Sequence, residues 1–290
     1  MKRQLLPFLL AIVLLYACGN QKISESVMSA YPETKKVDTV DVYFGEEVPD
    51  PYRWLEDDLS AETANWVEEQ NKVTFLYLDN IPFREKIKAR LSELYDYKRV
   101  SAPFEEGNYI YFYKNDGLQD QWVLYRKKDE TDEGEVFLDP NTFSDDGTVS
   151  MAGLSFSNDG TLLGYQISEG GSDWRKVIVM NTESRSIIGD TLVNVKFSGL
   201  SWKGKDGFFY SSYDKPKDGS ALSAKTQYHK LYYHKLGTDQ SNDELIFGGN
   251  EQPNRYIFGG VTADENYLVI SASTNTSGNK LFIKDLKNPK

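Results

Sequence analysis

The 290-residue sequence has one cysteine, Cys18, and two histidines, His229 and His234. A single cysteine excludes an intramolecular disulfide, and so few soft ligands exclude a cysteine-built metal centre. Positive charge is also scarce: 33 Lys and Arg face 44 Asp and Glu, a formal charge of −11. Binding to a phosphate backbone needs a basic surface, so nucleic acid is excluded as a partner. The long apolar run, Leu5 to Tyr16, is shorter than the roughly 20 residues of a membrane-spanning helix. Pro and Gly are scattered, which argues against low complexity.

That apolar run has another use. Lys2 and Arg3 precede it, and it ends in Leu15-Tyr16-Ala17-Cys18, which resembles the lipobox of bacterial lipoproteins. Residues 1–18 are therefore expected to be a lipoprotein-type signal peptide, with Cys18 lipidated and anchoring the protein to a membrane. The polar stretch 19–29 suits a tether. The expected location is exported, in the periplasm or cell envelope.

Aromatics are plentiful, with 19 Tyr and 15 Phe, as half-buried strands favour. Residues 30–97 nonetheless read as helical. Ser60 is placed to cap a helix with Glu62 in its first turn, and Trp66, Val73, Leu76 and Tyr77 fall near one face. A second helix begins near Pro82, with Phe83, Ile87, Leu91 and Leu94 forming a stripe. From residue 98 onward the pattern changes to short alternating runs such as 109–113 and 177–180, separated by turns at 115–117, 146–147 and 158–160. A strand–turn–strand phrase restarts about every 50 residues, the period of a four-stranded propeller blade. A β-sandwich would not repeat that phrase. The expected fold is mainly β, with about four propeller blades after a helical segment.

Several motifs carry a family resemblance. Val48-Pro49-Asp50-Pro51-Tyr52-Arg53-Trp54-Leu55-Glu56-Asp57 is followed in order by Lys114-Asn115-Asp116-Gly117 and Leu138-Asp139-Pro140-Asn141. Next come Gly171-Ser172-Asp173-Trp174, Val195-Lys196-Phe197-Ser198 and Gly207-Phe208-Phe209-Tyr210, and then 228–239. The chain from about Tyr31 onward resembles the amino-terminal portion of the prolyl oligopeptidase family. The resemblance implies a seven-bladed propeller covering an α/β-hydrolase domain, with residues 30–97 as that domain's amino-terminal segment and 98–290 as the first part of the propeller. It further implies a proline-specific serine endopeptidase that cuts proline-containing oligopeptides, without a cofactor, and is monomeric when complete.

The chemistry itself is expected elsewhere. A hydrolase-fold serine sits on a G-x-S-x-G elbow, and the chain has none. The fragments around Ser172 and Ser155 each lack the second glycine and read as propeller turns. His229 and His234, five apart in one strand, should face opposite sides with no carboxylate at a fixed distance, as structural histidines. No catalytic residue and no metal site is assigned. By resemblance, Phe197 and Phe258 line an apolar pocket for the residue two before the proline, and Asp173 pairs with an arginine of the hydrolase domain. Ala272 and Asn275 stand where some family members carry arginine and cysteine. The alternative left open is a non-catalytic propeller lipoprotein that binds peptides or a protein partner.

Overall fold

The computed structural model describes residues 31–189, 191–215 and 225–288. The expected signal peptide, Cys18 and the tether lie outside them. The chain divides into two compact units, 1–88 and 89–290.

In the first unit, β1 (Val40–Tyr43) and β2 (Glu46–Pro49) form a hairpin. Its two loop residues, Phe44 and Gly45, both have positive φ (55° and 90°), the backbone that a two-residue loop needs to match strand twist. The Asp50–Asp57 motif makes a 3-10 turn that works as a staple. Arg53 Nε donates to Asp50 at 2.7 Å, the same guanidinium bonds Asp41, and Trp54 Nε1 donates to the Lys35 carbonyl at 2.9 Å. Helix α1 (Ala61–Asp79) starts where expected, with the Ser60 hydroxyl accepting from the Thr63 amide at 3.1 Å. Helix α2 (Arg84–Tyr95) follows. Phe83, Ile87, Leu91 and Leu94 are each 49–55% exposed, so the stripe read from the sequence lies open to solvent.

The second unit carries four antiparallel sheets. The first contains β3 (Arg99–Val100), β4 (Phe104–Glu106), β5 (Tyr109–Asn115), β6 (Val123–Lys127) and β7 (Glu135–Leu138). The second runs β8 (Val149–Phe156), β9 (Leu162–Glu169), β10 (Trp174–Asn181) and β11 (Leu192–Lys196). The third runs β12 (Leu200–Lys203), β13 (Gly207–Ser212), β14 (Lys230–Lys235) and β15 (Glu244–Phe247). The fourth has β16 (Tyr256–Val261), β17 (Tyr267–Ser273) and β18 (Lys280–Asp285). Sequence neighbours pair in each sheet except at the start of the first, where β3 and β4 both pair with β5, and a new sheet begins about every 50 residues. Among the described residues this is a partial β-propeller of four blades, with no closed barrel.

Three cores lie between consecutive sheets. Tyr111, Leu124 and Phe137 meet Phe156 and Leu163 between the first and second. Val177, Leu192 and Val195 meet Trp202 and Phe208 between the second and third. Phe209 and Leu231 meet Ile257, Leu268 and Ile270 between the third and fourth. Strand β13 shows the mechanism: Phe208 and Tyr210 enter one core and Phe209 the other, because strand side chains alternate. A blade buried on both faces reads as a continuous apolar run, and every residue of β13 is buried.

Meander geometry puts the turns between first and second strands at one end of the sheets. There the Lys205 ammonium is 2.5 Å from Asp159, and Glu265 accepts from both Asn158 (2.6 Å) and the Gly204 amide (3.0 Å). Burial disfavours the Asp159 carboxylate, yet Lys205, Thr161 and Ser157 outweigh it and hold its pKa well below the usual carboxylate range. The second-to-third-strand turns and the sheet-to-sheet connections lie at the opposite end, which carries the candidate site.

Candidate functional site

At that opposite end, the turn between β9 and β10 is built on Gly170 and Gly171, both at positive φ. The Ser168 hydroxyl donates to the Ser172 carbonyl at 2.6 Å, and the Trp174 amide donates to the Ser172 hydroxyl at 3.1 Å. Asp173 is presented from this turn, exposed and without an ion pair among the described residues. Trp174 then opens β10 directly opposite Lys196 on β11.

Lys196 places its ammonium 4.9 Å from the centre of the Trp174 ring and 5.2 Å from that of Phe197. Phe197 has φ of 53°, a left-handed conformation that costs a non-glycine residue roughly 1–2 kcal/mol. Its connection is held in place by Ser198, whose carbonyl accepts from Gln166 (3.0 Å) and whose hydroxyl accepts from the Ser211 amide (2.8 Å). Strain retained at a tied-down position is a feature of functional sites.

The Phe197 ring lies 6.2 Å from Tyr213 and 6.0 Å from Tyr256, and Tyr213 lies 6.5 Å from Trp174. Tyr256 and Phe258 alternate on β16 and so share one face, 43% and 45% exposed. Beneath them His229 is 1% exposed, with ring centres 4.6 Å from Tyr213, 6.1 Å from Tyr256 and 6.0 Å from Phe258. The second, third and fourth sheets thus contribute to one aromatic surface. Such a surface offers burial to apolar side chains, with Lys196 and Asp173 as charged groups beside it.

Phe197 and Phe258, 61 positions apart, are brought into this one cluster through Tyr256 and His229. Asp173 adjoins it through Trp174. Sequence reasoning missed Trp174, Lys196, Tyr213, Tyr256 and His229 as members. The alternation of Tyr256 with Phe258 was a usable signal. Nothing local in the sequence reveals His229.

Two expectations need correction. Ser172 is in a turn, but Ser155 lies inside β8 and donates to the Leu200 carbonyl at 3.1 Å, because the second blade's inner strand is longer than its sequence pattern suggests. His234 does have a fixed carboxylate partner: its Nδ1 is 2.8 Å from Asp243 Oδ1, and Asp243 Oδ2 accepts from the Tyr210 hydroxyl at 2.7 Å. Asp243 reaches it from beyond a 3-10 turn (Gln240–Asn242), nine residues on. Burial first, and Asp243 second, drive the Tyr210 pKa far up. This network sits inside the third sheet, away from the aromatic surface. Among the described residues, no group of three or more His, Cys, Asp or Glu is arranged to hold a metal.

The description of the prolyl oligopeptidase amino-terminal β-propeller domain matches residues 32–290. The chain belongs to the prolyl oligopeptidase family. Its relatives include a prolyl endopeptidase of Elizabethkingia miricola, 60% identical over 258 residues, which cover 89% of this chain and 36% of that protein. A prolyl endopeptidase of Elizabethkingia meningoseptica is 55% identical, covering 94% of this chain and 39% of that protein. Among solved structures, prolyl oligopeptidase B of Galerina marginata, bound to a 35mer hydrolysis and macrocyclization substrate, superposes with a TM-score of 0.75 at 30% identity. That superposition covers 89% of this chain and 39% of the Galerina one. The chain therefore spans less than two fifths of these prolyl oligopeptidases, the amino-terminal propeller part. The family is one of serine peptidases, whose named relatives here are prolyl endopeptidases.

Proposed function

We propose that this chain is the amino-terminal part of an exported proline-specific serine endopeptidase that hydrolyses short peptides after proline. Its aromatic surface receives the side chain two positions before that proline. The observation that carries this reading is the convergence of Phe197 and Phe258, from different sheets, on one exposed aromatic surface. Apolar rings offer burial without demanding one sequence, which suits an enzyme selective at proline and permissive beside it.

In this reading the nucleophile, base and oxyanion donors come from sequence outside the chain, and residues 30–97 are the leading segment of the hydrolase domain that carries them. Asp173, unpaired by any cation among the described residues, is available to an arginine of that domain. The proposal extends to a lipid anchor at Cys18, location in the periplasm or cell envelope, and a monomeric complete enzyme.

The test is to express the longest reading frame containing this chain and offer it a Gly-Pro reporter peptide. Cleavage after proline is expected, and none by residues 19–290 alone. Absence of cleavage by the longer protein would leave the non-catalytic, peptide-binding lipoprotein as the reading.

A further inference from the structure

We propose that His229, in one neutral tautomer, is the positioning residue that holds the aromatic surface together across three blades. The Ile257 amide donates to His229 Nδ1 at 3.0 Å, so Nδ1 carries no proton. The proton is then on Nε2, which donates to the Lys196 carbonyl at 3.1 Å. Each of these backbone groups is next to a ring of the surface. Ile257 sits between Tyr256 and Phe258, and Lys196 precedes Phe197. His229 itself is aimed by Tyr228, held at φ of 62°. One ring thereby fixes the separation of β11, the start of β14 and β16 where the aromatic side chains project.

This arrangement works only while the ring is neutral. A proton on Nδ1 would face the Ile257 N–H, removing the acceptor and setting two donors against each other. The charged groups around the ring do not favour protonation. From β11 comes the Lys196 ammonium, and from β14 Lys230, paired with Asp214 at 2.5 Å. Ahead of β16 comes Arg255, over the Phe247 ring, and from the turn before β10 the exposed Asp173. Tyr213 and Tyr256 contribute faces of their rings. No carboxylate is within hydrogen-bonding distance of the imidazole among the described residues. Burial pushes the His229 pKa down to about 4, against a smaller upward pull from the Lys196 carbonyl.

The structural part of this proposal stands without the proposed function; its kinetic part rests on it. In the longer protein, histidine-selective ¹⁵N labelling reads the tautomer of His229, whose signals are assigned as those lost in His229→Gln. The expected result is an Nε2–H tautomer for His229 that stays neutral through pH 5. Exchange of the Ile257 amide should accelerate as the ring takes its proton. His229→Phe keeps an aromatic ring, somewhat larger, but neither hydrogen bond, and should expose the Ile257 amide at pH 7. His229→Gln offers one donor and one acceptor and does not titrate, so it should keep the amide protected and remove the acid response. In the longer protein, His229→Phe should raise KM about tenfold for a peptide with a bulky residue two before proline, leave kcat within about twofold, and be largely rescued by Gln. An Nδ1–H tautomer, titration near the ordinary histidine value, or a His229→Phe variant with unchanged amide exchange would each overturn the positioning role. A longer wild-type protein without peptidase activity would overturn the proposed function instead, with the NMR deciding the role of His229.

Discussion

Two glycines, equal in backbone strain and opposite in surroundings, measure how tightly neighbouring blades are locked. Gly160 and Gly170 both sit in the left-handed region, with φ of 68° and 59°. A Cβ on Gly160 would lie 2.3 Å from the Gly107 amide nitrogen and 2.4 Å from its Cα, backbone atoms of the first blade. A Cβ on Gly170 would meet nothing within 4 Å. Both Gly→Ala changes therefore carry the left-handed penalty of about 1–2 kcal/mol. Gly160→Ala adds a backbone clash that only separation of two blades relieves, worth about 1–3 kcal/mol more by comparison with overpacked cores. It also disturbs the Gly160 carbonyl, which accepts from the Thr182 hydroxyl at 2.7 Å. Urea unfolding followed by circular dichroism should show Gly160→Ala about 2–5 kcal/mol less stable than wild type and Gly170→Ala about 1–2. Equal losses for the two variants would refute the claim that the first and second blades are in backbone contact at this turn.

Other predictions follow from single interactions. Asp243→Ala should cost about 3–5 kcal/mol in the same unfolding assay, because it strands the buried His234 ring and Tyr210 hydroxyl. Asp243→Asn, which keeps acceptor capacity, should cost less. Arg126, 5% exposed, donates to Glu135 and the Thr182 carbonyl and lies 4.3 Å from the Tyr109 ring centre, joining the first and second blades. Arg126→Met should lose about 2–4 kcal/mol in thermal or urea unfolding. His229 also gives stability a signed pH dependence. The folded ring stays neutral to about pH 4, while an unfolded histidine takes its proton near 6.5, so the unfolded chain binds more protons between those values. Stability should therefore fall on acidification across that window, by about 1.4 kcal/mol per pH unit, and His229→Gln should flatten this limb in pH-resolved urea titrations. In the longer protein, Phe197→Ala and Phe258→Ala should each raise KM about tenfold for peptides extended two residues before proline, sparing a truncated reporter.

Much of the fold was legible because it is local. Blade repeats restart at about the same interval, Ser60 caps its helix through the Thr63 amide three residues on, and the alternation along each strand reports which face is buried. The site was legible only through motif order: Phe197, Phe258 and Asp173 came from resemblance, and the sequence held no reason for the two rings to meet. Their meeting depends on Ile257, Lys196 and His229 converging from three blades, a relation invisible before the strands are placed. The His234–Asp243 pair was hidden for a similar reason. An intervening 3-10 turn folds the carboxylate back onto its strand, and no strand spacing predicts that. Ser155 was misplaced because Gly153 two residues before it reads as a turn, while β8 continues through both on inter-strand pairing.

The central proposal is that peptide-bond chemistry belongs to residues outside this propeller portion. A serine-reactive activity probe, applied to the longest protein containing this chain and mapped by tandem mass spectrometry, tests that directly. The account predicts one labelled serine, in a G-x-S-x-G setting outside residues 1–290. A label on Ser155, Ser172 or any other residue of this chain would contradict it.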